Sequence, residues 1–115
     1  MPPDYWDYHL ATGCPISRSK EVLSEMTPAL RERVFRAIKL QGGPGLLVDP
    51  IEQDPLTATK IRQAEAEAVR MADQSGITGK GRCHFVWTSQ AQILAERYGI
   101  QWFSPRHMNP DVSFD

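Results

Sequence analysis

The sequence predicts a mostly α-helical protein: a small domain of three to four helices with an irregular, packed N-terminal arm and C-terminal tail. Three observations carry that expectation. Apolar residues recur at helical spacing in three separate stretches. Start and stop signals bracket those stretches, notably Thr27-Pro28 and Gly42-Gly43. Aromatic residues gather at both ends of the chain, which calls for packed termini. The 115 residues suit a single domain, and 41% hydrophobic with 23% charged residues is a globular composition.

Residues 1–16 form the aromatic arm, with Tyr5, Trp6 and Tyr8 closed off by Gly13 and Pro15. Either these rings lie across the protein's own helices, or they form a partner-binding arm, since Tyr and Trp are favoured interface anchors. Residues 19–41 read as helix in two pieces. Thr27 supplies a hydroxyl cap and Pro28 a first residue with no N–H to leave unpaired. Leu30, Val34, Phe35 and Ile38 then make one apolar face, and Gly42-Gly43 ends the helix. Its Arg31, Arg33, Arg36 and Lys39 read as a solvated polar face.

Residues 42–56 are a connection whose Leu46-Leu47-Val48 is either a strand or a buried loop. A helix follows from Pro55 or Thr57 to Ser75, with Ile61, Ala64, Ala68, Met71 and Ala72 on its apolar stripe. The small side chains call for close packing against a neighbour. After a glycine-rich loop, Cys83, Trp87, Ala91, Leu94 and Tyr98 form one continuous stripe that Gly99 caps. The alternative is an α/β arrangement with a small sheet from 45–49, 83–88 and 100–104, in which Ser89 and Gln92 make a capping box. The long helix is preferred because one stripe accounts for five residues. The tail, 99–115, is irregular but rich in apolar side chains.

The formal net charge of -1 gives no support to nucleic-acid binding, which needs concentrated Lys and Arg. No apolar run approaches the roughly 18 residues of a membrane span, so no membrane partner is expected. Two cysteines and no signal-peptide pattern at Met1 point to a reducing, cytoplasmic setting. Gly79-Lys80 lacks the spacing and the following Ser or Thr of a phosphate-binding loop. Cys83-His84 is a reactive-looking pair, but adjacent residues point apart on a helix or a strand, and the thiol belongs to the apolar stripe. No metal-ligand spacing occurs, and neither metal nor cofactor is expected.

The stretch Gly81-Arg82-Cys83-His84-x-x-Trp87, with Glu96-Arg97-Tyr98-Gly99-Ile100-x-Trp102-x-Ser104-Pro105, Met108-Asn109-Pro110 and Phe114-Asp115, resembles the end of a group of short uncharacterised bacterial and phage proteins. The resemblance covers the last third of the chain. It implies a bacterial or phage origin and a helix continuing through Trp87, and it names no catalytic residue.

The expected function is a non-catalytic, macromolecule-binding or regulatory module whose partner is another protein or a second copy of itself. Its contact surface would join Tyr5 and Trp6 of the arm to Trp102 of the tail, with Arg82, His84 and Arg106 as a polar rim. One rival is a small metal-dependent nuclease or phosphodiester hydrolase assembled from His84, His107 and Asp111. Another is a self-associating structural subunit.

Overall fold

A computed structural model describes residues 5–42 and 44–114. The first four residues of the aromatic arm, Gly43 of the helix stop and Asp115 of the C-terminal pattern lie outside them. The chain is mostly helical, with α1 (Tyr5–Thr12), α2 (Ile16–Glu25), α3 (Pro28–Gln41), a short 3-10 turn (Pro50–Glu52), α4 (Ala58–Gln74), α5 (Arg82–Tyr98) and α6 (Pro105–Met108). No strand occurs among the described residues. The arm is therefore helical rather than irregular from Tyr5 onward, and the tail adds one turn of helix.

Two compact units make up the fold. The first runs to Pro50 and takes in Pro105–Val112; the second is Ile51–Ser104 with the chain from Ser113.

In the first unit α1 packs on α2 and α3, and α3 packs on α6. Tyr8, Val22, Val34, Leu47 and Met108 are its fully enclosed apolar side chains. Local chemistry sets the helix ends. The Thr27 hydroxyl accepts the Leu30 N–H at 3.2 Å, with Pro28 in the first turn. Gly42 closes α3 at φ 69°, a left-handed conformation that favours glycine. Arg31 reaches back from α3 and donates to the carbonyls of Leu23 and Met26, both at 3.2 Å. The Leu23 carbonyl also accepts the Met26 N–H at 3.4 Å, so Arg31 adds a second donor at the end of α2. Arg33 pairs at 2.7 Å with Asp49, whose side chain is 0% exposed. Two of the four basic residues on α3 are thus structural, and the expected solvated face is narrower than the sequence suggests.

Leu47 and Asp49 are buried while Leu46 and Val48 are exposed, the alternation of a strand. The partner is not a strand but one side chain. The Asn109 amide accepts the Leu47 N–H at 2.8 Å and donates to the Leu47 carbonyl at 2.8 Å and to the Pro105 carbonyl at 2.9 Å.

The second unit is a helical hairpin. Ile61 and Ala64 near the start of α4 meet Leu94 near the end of α5, together with Ile51 and Trp102. Ala68 and Ala72 near the end of α4 meet Val86 near the start of α5. The helices therefore run antiparallel, and the alanine stripe lets them approach closely. Of that stripe only Met71 stands exposed. Trp102 is buried, and its indole N–H donates to Glu52 at 3.0 Å.

The alternative sheet is corrected at all three places. Residues 45–49 form no strand and Leu47 among them pairs with the Asn109 side chain, 83–88 lie inside α5, and 100–104 have no regular structure. Cys83–Thr88 favours a strand by composition, but burial against α4 overrides a local preference that is mostly a packing effect. Ser89 is accordingly a buried residue within α5 and starts no helix. The apolar stripe of α5 is rotated from its expected centre. Val86, Ser89, Gln90 and Leu94 are its buried residues, while Cys83, Trp87, Ala91 and Tyr98 are only half-buried flanks.

Candidate binding surface

The first unit exposes apolar side chains that its core does not absorb. On α1, Trp6 is 50% and Leu10 57% exposed. They stand four residues apart, so they share one helix face. Tyr8, on the opposite side, is buried, which is why Trp6 and Leu10 must face outward. Beside Leu10 lies a crevice of about 330 Å³ lined by Asp7, Leu10, Ala11, Ile38, Gly42 and Pro44. The Gly45 N–H donates to the Ala11 carbonyl at 2.9 Å and holds the 44–46 loop against the end of α1. Next along that loop, Leu46 is exposed. A helix face carrying a tryptophan, a leucine and an adjoining apolar crevice has the chemistry of a protein-binding anchor site.

A wider groove of about 520 Å³ in the same unit is lined by Val22, Glu25, Met26, Leu30, Arg106 and His107, among others. Apolar Val22, Met26 and Leu30 share its lining with Glu25, Arg106 and His107. Arg106 and His107 are exposed there.

A third feature surrounds Cys14. Its thiol donates to Asp111 Oδ2 at 3.3 Å, and Asp111 Oδ1 accepts from Arg18 Nε at 2.8 Å. Tyr8, Cys14, Asn109 and Asp111 are among the residues around a cavity of about 270 Å³. Burial, with the Asp111 carboxylate adding to it, pushes the Cys14 thiol up from its ordinary range. A protonated thiol is a poor nucleophile, so this cluster is not built for thiolate chemistry at neutral pH.

Tyr8 is pushed up to about 12, chiefly by burial and then by Cys14 and Asp111. Its raised value means that the folded state holds the phenol proton more tightly than the unfolded chain. The stability this contributes is present below pH 10 and is lost as pH rises from 10 through 12. Folding stability is therefore expected to fall by about 3 kcal/mol across that window. Denaturant titrations at fixed pH values check this, and Tyr8→Phe should remove the part of the decline due to the phenol, leaving the part due to Cys14.

The other residues proposed for binding or catalysis occupy varied settings. Tyr5 is exposed, with the Lys20 ammonium 4.6 Å from its ring centre. Arg82 pairs with Asp73 at 2.7 Å and donates to the Ile77 carbonyl at 2.6 Å, which closes the loop between α4 and α5. His84 donates from Nε2 to the Phe114 carbonyl at 2.8 Å. Trp102 is buried among Ile51, Ile61 and Leu94, so it cannot serve as a surface contact. The expected contact surface is thereby reduced, because the packing of the hairpin consumes Trp102 and the loop closure engages Arg82 of its rim.

His84 belongs to the second unit, and His107 and Asp111 to the first. Asp111 is engaged by Arg18 and Cys14. Among the described residues, no group of three His, Cys, Asp or Glu side chains is placed to hold a metal ion. Neither cysteine is in a disulfide.

Sequence reasoning picked out Trp6 but not Leu10, Ile38 or Pro44. The signal for Leu10 was present as a four-residue apolar spacing with Trp6. Gly13 and Pro15, three and five residues on, mask it by marking the stretch as a turn. No helix among the described residues is long and apolar enough to cross a membrane. Compared with protein-family models, curated proteins and solved structures, the chain matches none.

Proposed function

We propose that this chain is a macromolecule-binding module that captures another protein through the exposed apolar face of α1. The observation that carries the reading is that Trp6 and Leu10 stand half-exposed on one face of α1, with Leu10 also lining a crevice with Ile38 and Pro44. A small protein gains nothing in stability by leaving these side chains in water, and large apolar groups grouped at a surface are the usual mark of a partner site. The proposal places the module in the cytoplasm, where the Cys14 and Cys83 thiols stay reduced. It retains the bacterial or phage origin that the C-terminal pattern implies.

Leu10→Asp puts a charge at the centre of this face. Because Leu10 is exposed, the substitution should cost no more than about 1 kcal/mol, mainly from placing an acid in the last turn of α1. Loss of an anchor residue typically costs 2 kcal/mol or more, so affinity for the partner should fall roughly 30-fold. A photo-crosslinking residue at position 40, where Leu40 is also exposed, serves as the comparison for one at position 10. The expected result is a defined protein adduct from position 10 that disappears when Trp6→Ala is added. Adducts with the chain itself would replace the partner by a second copy. Equal labelling from both positions would overturn the reading.

A further inference from the structure

We infer that His84 and Trp87 form a recognition socket for an extended peptide segment carrying a phenylalanine, and that Phe114 of this chain occupies it in cis. The two residues lie three apart near the start of α5 and therefore share a face. Their rings meet edge-on, with centroids 5.8 Å apart at 87°. Trp87 packs against both apolar clusters of the hairpin, so its ring is held rigidly. Phe114 sits edge-to-face on it, at 5.1 Å and 87°. The backbone carbonyl of the same residue accepts from His84 Nε2 at 2.8 Å.

That arrangement reads one side chain and one main-chain group together, which is how a groove recognises an extended peptide. The resident segment itself supplies the chemistry of the occupant: an aromatic ring for Trp87 and, on the same residue, a free carbonyl for His84. Ser113 and Phe114 carry no regular secondary structure, and Ser113 is exposed. The segment is therefore not locked by a backbone ladder. Its seat is also imperfect. Donation from Nε2 makes Nδ1 the bare acceptor of the neutral ring, and Nδ1 is buried without a hydrogen-bond partner. An incoming segment with a donor for Nδ1 would gain a hydrogen bond that the resident does not make.

Phe114 then acts as a built-in competitor. Affinity for a segment in trans is reduced by the fraction of time that the socket stands open. The partner is a protein segment with an accessible phenylalanine in extended conformation. This inference uses the second unit alone and does not depend on the α1 face, so either reading can fail without the other.

The probe is a hexapeptide with the sequence of residues 110–115, blocked at both ends, titrated into the Phe114→Ala protein while the Trp87 indole and His84 ring signals are followed by NMR. Both signals should shift with saturation. Binding to Phe114→Ala should be about tenfold tighter than to the intact protein if the resident is seated nine-tenths of the time. A peptide with alanine in place of phenylalanine should leave both signals unmoved. In the intact protein, whose socket signals already report an occupied state, the peptide at correspondingly higher concentration should release the resident, read as a shift of the Phe114 ring signal, which keeps the test independent of how the variant folds. Absence of any shift in both proteins would overturn the inference. So would equal affinity for the two proteins, or equal binding of the alanine peptide.

Discussion

Asn109→Ala is expected to lower the unfolding free energy by about 3–4 kcal/mol, although it removes only one small polar side chain. The reason lies in what Asn109 satisfies. Its amide accepts from the Leu47 N–H and donates to the Leu47 carbonyl, both at 2.8 Å, in a buried setting. Each buried main-chain group left unpaired costs about 1–3 kcal/mol. Two are orphaned here, and a third bond, to the Pro105 carbonyl, is lost with them. Against a total stability of about 5–15 kcal/mol this is a large fraction. Chemical denaturation should show a midpoint far below that of Val112→Ala, an exposed site nearby in sequence where less than about 0.5 kcal/mol is expected. Hydrogen exchange should locate the damage at Leu47. A midpoint equal to that of the control would mean that water replaces the amide without penalty.

Arg33→Met should cost about 3–5 kcal/mol, the usual effect of removing one partner from a buried ion pair. Asp49 is 0% exposed at its side chain and Arg33 only 19%. Methionine keeps much of the apolar stem of the arginine, so the loss reports the charge and its hydrogen bond rather than a cavity. The carboxylate left behind drives the destabilisation, so adding Asp49→Leu should recover most of it. A double-mutant cycle measures that coupling. Added salt should change the wild-type stability little through this pair, because buried charges are poorly screened. The Glu32–Arg36 pair gives the contrast. At 3.9 Å, with both side chains about half or more exposed, its loss should be barely measurable. Similar costs for Arg33→Met and Arg36→Met would contradict the buried-pair account.

Both predictions concern residues that the sequence presented blandly. Asn109 read as part of a turn signal, and Arg33 as one member of a solvated basic face. Nothing local distinguishes either from its neighbours, because their partners lie 62 and 16 residues away. Candidate site residues divide in the same way. The sequence left Trp6 open between core ring and contact residue, and only the fold of α1 leaves it half-exposed. Trp102 looked equally available but is buried, and only the packing of Ile51, Ile61 and Leu94 around it decides that.

Periodicity and punctuation determined the four longer helices, α2 to α5, but not α1 or α6. Thr27-Pro28 and Gly42 delimit α3, and the alanine stripe of α4 foretold a close helical neighbour. These signals act between residues a few positions apart, where helical geometry and capping hydrogen bonds are fixed by local sequence. Tertiary structure alone decided the rotation of α5 toward Val86 and Gln90, the pairing of Leu47 by a side chain instead of a strand, and the settings of His84, Asp111 and Trp102. Each of those depends on which distant group removes water from a side chain, and burial of that kind leaves no mark on the spacing of residues along the chain.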